Sequence, residues 1–241
     1  MLKKLYEKSK LWFAIGWIIG YCVLFSVGDA LSTAVGLEKS VTLAVGVLLS
    51  AVLFGFLKKN RWIEEYGLCP AKASAKSVLW YLPLVLMLTT NLWFGVTLNY
   101  GAAVTTFYIL SMFCVGFLEE VIFRSLLFEA MREESPKAAV LVSSVTFGIG
   151  HIINLFNGSG AELLPNLLQV VYATAAGFMF VMLYCKTKSL LTCIITHGLF
   201  NALSVFAVDP PTLPLKLLSC GLLTLICAGY AIYLAVQLKR E

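Results

Sequence analysis

The chain has 241 residues, of which 60% are hydrophobic and only 13% charged, with a mean hydropathy of +0.88. A soluble domain carries roughly 25% charged residues, so these values exclude one and indicate an integral membrane protein. The net charge of +5 is spread over the ends of apolar runs, which argues against a nucleic-acid partner and fits lysines and arginines that mark one face of a bilayer.

A helix needs about 20 mostly apolar residues to cross the hydrocarbon core. Segments near residues 11–31, 41–57, 77–98, 103–127, 137–155, 164–185, 189–207 and 214–236 qualify. The expected fold is an all-α polytopic membrane protein with about eight transmembrane helices, forming a single membrane domain over residues 1–241. The start, MLKKLYEKSKLWFAIGWIIGYCVLF, has the basic opening of a signal peptide. Its apolar run is long enough to span, however, and it reads as a retained first helix. Lys58, Lys59, Arg61, Lys72 and Lys76 fill the second connection, Arg132 and Lys137 the fourth, and Lys186 and Lys188 the sixth. The alternate connections are almost free of basic residues, with Lys39 the main exception. This bias predicts both termini on the cytoplasmic side. The short loops fit a prokaryotic plasma membrane. The seven cysteines form no CxxC pair and read as small apolar core residues.

The fourth segment contains FLEEVIFRS, residues 117–125. Charged side chains at membrane depth are costly and usually face a protein interior. Glu120 and Arg124 are four residues apart and share a helix face, so they can form an ion pair. Glu119 is rotated about 140° from Arg124 and must find its partner on another helix or stay protonated. Both histidines of the chain lie in apolar segments: His151 in VTFGIGH, where Phe147 can cover its ring, and His197 in CIITHGLFN, one turn before Asn201. Counted from the expected cytoplasmic ends, Glu119 and His197 lie roughly 12 to 13 Å deep and His151 and Asn201 roughly 20 Å. Each of these residues alone reads as readily as helix-to-helix glue. Together they predict a buried hydrolytic site. Asn166, Gln169 and Tyr172 on the sixth segment read mainly as packing, with cavity lining the alternative. Asp29, Asn91 and Asn99 read as interfacial, and Glu162 and Asp209 as exposed loop residues.

The motifs resemble a known family. Glu119-Glu120-Val-Ile-Phe-Arg124 matches EExxxR, Phe147 to His151 matches FxxxH, and His197 to Asn201 matches HxxxN. Their order is similar to that of the CAAX-protease and bacteriocin-processing (Abi, Rce1-like) membrane endopeptidases, over a core catalytic region of about 103–207. Ser125 stands where many members have Gly, and its small size should preserve close packing. The resemblance implies a glutamate-type intramembrane endopeptidase. Glu119 would be general base on a water, assisted by His151. Glu120 and Arg124 would support the site, and His197 and Asn201 would donate to the oxyanion. A positioned base suits a poor nucleophile such as water, and preorganised donors suit developing negative charge.

No cofactor is expected. A zinc-dependent form of the same protease would draw its ligands from Glu119, Glu120, His151 and His197, although HExxH is absent and Arg124 disfavours a cation. The implied partners are the bilayer and a peptide or membrane-protein tail, lipidated at its C-terminus in the prenyl-protease precedent. Two other classes compete: a non-catalytic membrane protein for bacteriocin self-immunity, and a proton-coupled transporter. The lack of an internal repeat argues against the transporter. The depth of the glutamates predicts substrate entry from the cytoplasm or inner leaflet.

Overall fold

The structure is a computed structural model that describes residues 2–157 and 161–240. A short helix α1 (Leu2–Lys8) precedes α2 (Lys10–Ala34), α3 (Ser40–Lys59), α4 (Leu82–Thr89) and α5 (Ala102–Glu120). A π-helical stretch, Val121–Leu127, continues α5 into α6 (Phe128–Arg132). Then come α7 (Pro136–Gly150), α8 (Leu163–Thr187), α9 (Leu191–Leu203) and α10 (Leu213–Leu238). The helix starts follow local chemistry. Ser9 accepts from the Trp12 amide at 3.2 Å, and Ser135 accepts from the Ala138 amide at 3.3 Å ahead of Pro136, each satisfying an otherwise unpartnered first-turn N–H.

Among the described residues, six helices are long and apolar enough to cross a membrane: Lys10–Ala34, Ser40–Lys59, Ala102–Arg132, Pro136–Leu155, Leu163–Thr187 and Leu213–Leu238. The all-helical expectation holds, and six of the eight expected spans match these helices. The segment at 189–207 is a shorter apolar helix, Leu191–Phe206. It packs along α5 in the middle of the bundle, with Cys193, His197 and Gly198 buried.

The segment expected to span at 77–98 does not form one helix. Leu79, Trp80 and Tyr81 take positive φ angles of 51°, 48° and 59°, and α4 is only eight residues long. Pro83 explains the break, because it lacks the N–H and its ring clashes with the carbonyl four residues earlier. The chain still passes from one end of the bundle to the other. Tyr230 on α10 donates to the Val78 carbonyl (2.8 Å), and Asn91 donates to the Phe200 carbonyl (2.7 Å). Such irregular backbone is tolerated at membrane depth only where protein shelters it, and α4 lies against α9 and α10.

The two ends of the bundle differ. At one end the 60–74 connection lies across the helix termini. Lys72 donates to the Thr187 carbonyl (2.8 Å), Leu190 to the Gly67 carbonyl (2.7 Å) and the Ser125 hydroxyl to the Tyr66 carbonyl (2.8 Å). The Tyr6 and Tyr66 hydroxyls meet here. Burial, and then the Tyr6 hydroxyl, push the Tyr66 phenol above its ordinary range, so it stays neutral. Helix α1, the C-terminal end of α10 and nearly all basic residues gather at this end. At the other end the 90–101 connection meets the end of α9 through Thr97 to the Phe206 carbonyl (2.9 Å) and an antiparallel bridge of Val96 with Ala207.

Candidate active site

The α5 helix runs on to Arg132 rather than stopping near 127, so Glu119 is about 20 Å from that end at 1.5 Å per residue, near mid-bundle. The π-helical turn begins directly after Glu120. Turns of this kind recur at functional sites because they re-aim side chains. Every residue from Glu120 to Phe128 is buried.

Glu120 and Arg124 form the expected ion pair, with Nε 3.3 Å from Oε2 and both side chains fully buried. The guanidinium carbon lies 4.2 Å from the Phe147 ring centre, 5.5 Å from Phe180 and 5.9 Å from Phe123. Aromatic faces thus surround the cation and attract it through their quadrupoles. The other Glu120 oxygen, Oε1, is 2.8 Å from Nδ1 of His197. A carboxylate can only accept, so Nδ1 carries the proton. The His197 ring stacks on Phe180 at 5.7 Å and meets Phe147 edge-on at 5.6 Å. Its Nε2 faces Oε2 of Glu119 at 3.6 Å. Two glycines permit this approach of α5 and α9. A Cβ on Gly116 would lie 2.7 Å from the Gly198 amide nitrogen.

Glu119 finds its partner on another helix, as its angle required. Tyr21 on α2 donates to Oε1 at 2.6 Å, whereas Oε2 has no hydrogen-bond partner. His151 ends α7, and its Nδ1 lies 3.1 Å from the Phe147 carbonyl. A carbonyl accepts only, so Nδ1 carries a proton and Nε2 is not used by this contact. Asn166 donates to the His151 carbonyl at 2.9 Å, which fixes the turn where α7 gives way to a 3₁₀ segment.

A cavity of about 350 Å³ adjoins these groups. Glu119, His151 and Asn201 line it, together with Tyr21 and Phe147. Glu120, Arg124 and His197 lie behind that wall, in contact with Glu119 or with one another. The six expected residues thus divide into three on the cavity and three supporting them. Gln169 and Tyr172 also line it. Asp29 and Asn91, expected to be interfacial, face the same cavity. Glu162 and Asp209 are exposed, as expected. Ser125 does more than stay small, since its hydroxyl ties the helix to the 60–74 connection. Sequence reasoning missed Tyr21 and Phe180. A tyrosine hydroxyl in the middle of an apolar span was the available signal for the first, while nothing distinguished Phe180 from lipid-facing aromatics.

Among the described residues, no three His, Cys, Asp or Glu side chains are arranged to hold a metal ion. Glu120 is engaged by Arg124 and His197, and His197 Nδ1 by Glu120. That leaves Glu119 Oε2 and His197 Nε2 as the two facing donors, too few for a zinc site. The residues do not fit zinc as arranged.

Residues 101–203 match the family model "Type II CAAX prenyl endopeptidase Rce1-like". A protein of Bacillus subtilis (strain 168) named "Putative membrane peptidase YdiL" is 35% identical over 104 residues, which cover 43% of this chain and 37% of that protein. The chain therefore matches little more than a third of that relative's length. No solved structure matches. The matched segment spans α5 to α9, which carry all three motifs in their expected order. The central segment of this multi-pass, all-helical membrane protein is thus similar to the Rce1-like endopeptidases.

Proposed function

We propose that this chain is an intramembrane endopeptidase in which Glu119 activates water. One observation carries the reading: Glu119 lines the cavity, with Oε1 held by Tyr21 and Oε2 turned toward His197 Nε2 at 3.6 Å. In the attack, an O–H bond of water breaks and its proton passes to the Glu119 carboxylate. The water oxygen bonds to the scissile carbonyl carbon, and the carbonyl π pair moves onto its oxygen. Collapse of that intermediate breaks the C–N bond, and the proton leaves with the amine. Asn201 and His151, both on the cavity, are suited to hydrogen-bond the oxyanion and the departing amine. The resemblance would give His197 an oxyanion role. Its position behind Glu119, with Nδ1 on Glu120, supports a positioning role instead.

The substrate is a peptide segment reaching into the membrane. Reporter peptides with and without a C-terminal prenyl cysteine separate the lipidated class from the plain one. The test of the reading is Glu119→Gln, in purified protein and in cells compared by terminus-selective proteomics. The amide keeps an acceptor for Tyr21, so the fold should persist while hydrolysis falls by about 10²-fold or more. A folded Glu119→Gln protein that leaves the same new termini, or that retains full protection against a bacteriocin, would sink the protease reading in favour of a non-catalytic role.

A further inference from the structure

We propose that the hydrolytic cavity opens to the face of the membrane opposite the basic loops, so that it takes peptide segments from the non-cytoplasmic side. This rests on reading the Glu119 cavity as the substrate site, and it reverses the cytoplasmic entry expected from the depth of the glutamates along the sequence.

Three observations carry it. First, the cavity occupies one half of the bundle. From Glu119 and Tyr21 it extends to Asp29 near the end of α2, Lys39 before α3, Asn157 and Ala161 between α7 and α8, and Ser204 after α9. All of these lie at the end that holds the 90–101 connection. Along α2, Tyr21 to Asp29 is eight residues, or about 12 Å.

Second, the route to the other end is blocked. Below Glu119 the residues Glu120 to Phe128 are all buried, as are Phe180 and Leu183 on α8. The 60–74 connection covers them and is fastened by Ser125 to Tyr66 (2.8 Å) and by Ser189 to the Cys69 carbonyl (2.5 Å). No residue of that connection lines the cavity.

Third, the charge separates the two ends. Of the 18 lysines and arginines, only Lys39 and Lys216 lie at the cavity end and Arg124 lies within the bundle. Lys39 is neutralised there by Asp29 at 2.8 Å. Basic residues in short loops stay cytoplasmic, which sets the blocked end inside and the open end outside. The cavity walls suit an extended peptide. Asn91, Gln169 and Asn201 present carboxamides. Asn91 is engaged with the Phe200 carbonyl and Gln169 Oε1 with Asn154, but each carboxamide has more donor and acceptor sites than these contacts use, which suits a peptide backbone.

A native thiol permits the test. Cys22 lines the cavity, Ser204 is exposed at its mouth and Ala71 is exposed at the opposite end. Full-length wild-type protein, Ser204→Cys and Ala71→Cys are treated with a charged, membrane-impermeant thiosulfonate in right-side-out and inside-out vesicles. Modified sites are mapped by mass spectrometry. We expect Cys22 and Ser204→Cys to react in right-side-out vesicles and lose that labelling in inside-out ones, with Ala71→Cys showing the reverse. Reaction of Cys22 from the same face as Ala71→Cys would overturn the direction of opening. Reaction of Cys22 and Ser204→Cys from the inner face would overturn the orientation. A Cys22 unreactive from both faces would overturn an open cavity. If either variant fails to insert, Cys22 in the wild-type chain decides alone. Labelling needs no hydrolysis, so its failure leaves the role of Glu119 standing, and loss of that role leaves the sidedness standing.

Discussion

Tyr21 on α2 and Glu119 on α5 are 98 residues apart and joined by a hydrogen bond of 2.6 Å. This contact links the first long helix to the EExxxR motif, although α2 lies outside the segment that matches the family model. It occupies Oε1 and so fixes the carboxylate, whose Oε2 faces His197 Nε2 at 3.6 Å. Replacing the donor by Tyr21→Phe should lower kcat by about tenfold, since a hydrogen bond to a charged group is worth about 1.5–3 kcal/mol. KM should change little, because the hydroxyl holds the base rather than the peptide. Steady-state kinetics on one reporter peptide check this, and an unchanged kcat would make Tyr21 a packing residue.

Arg124 should be more important for stability than any surface cation. Its guanidinium is fully buried beside Glu120, so Arg124→Met strands a buried carboxylate. Breaking such a pair costs about 3–5 kcal/mol. Thermal unfolding in detergent should show a large fall in Tm for Arg124→Met and partial recovery in Glu120→Gln/Arg124→Met. A single variant that unfolds with the wild type would show that the pair contributes nothing.

The glycine contact between α5 and α9 sets the distance from Glu120 to His197. Gly116→Ala would set a Cβ against the Gly198 backbone, which cannot yield as a side chain would. We expect a loss of about 1–3 kcal/mol, as for other overpacked sites, together with reduced hydrolysis as the 2.8 Å contact between Glu120 and His197 is stretched. Gly229→Ala is the control, because a Cβ there meets nothing within 4 Å. Equal behaviour of the two variants would refute the argument.

Hydrolysis should survive exhaustive chelation in protein whose zinc content is far below one ion per chain. The support for this is the donor arrangement, in which Glu120 and one nitrogen of His197 are committed to each other. Activity lost on chelation and restored by zinc would require Glu119 and His197 to recruit a further ligand by rearrangement.

Much of the site was legible because its clues are local. The four-residue step from Glu120 to Arg124, and the rotation that sets Glu119 apart, follow from helical periodicity. The two histidines stood out because polar groups are rare in apolar runs. The broken crossing at 77–98 was less legible, since hydropathy counts apolar residues and takes no account of Pro83. Tyr21 was overlooked because one hydroxyl barely alters the hydropathy of its span.

By itself, the sequence determined that this is an all-helical membrane protein with three motifs at membrane depth, and which charges can pair within one helix. Burial of apolar surface in lipid and the helical repeat act on short stretches, so both can be read without knowing the fold. Only the tertiary structure decided which helix supplies the partner of Glu119, that His197 stands behind the cavity wall, and toward which end the cavity runs. Periodicity gives the direction a side chain takes from its own axis. What it meets there depends on how closely helices approach, and here that was decided by Gly116 against Gly198 and by the dense packing from Glu120 to Phe128.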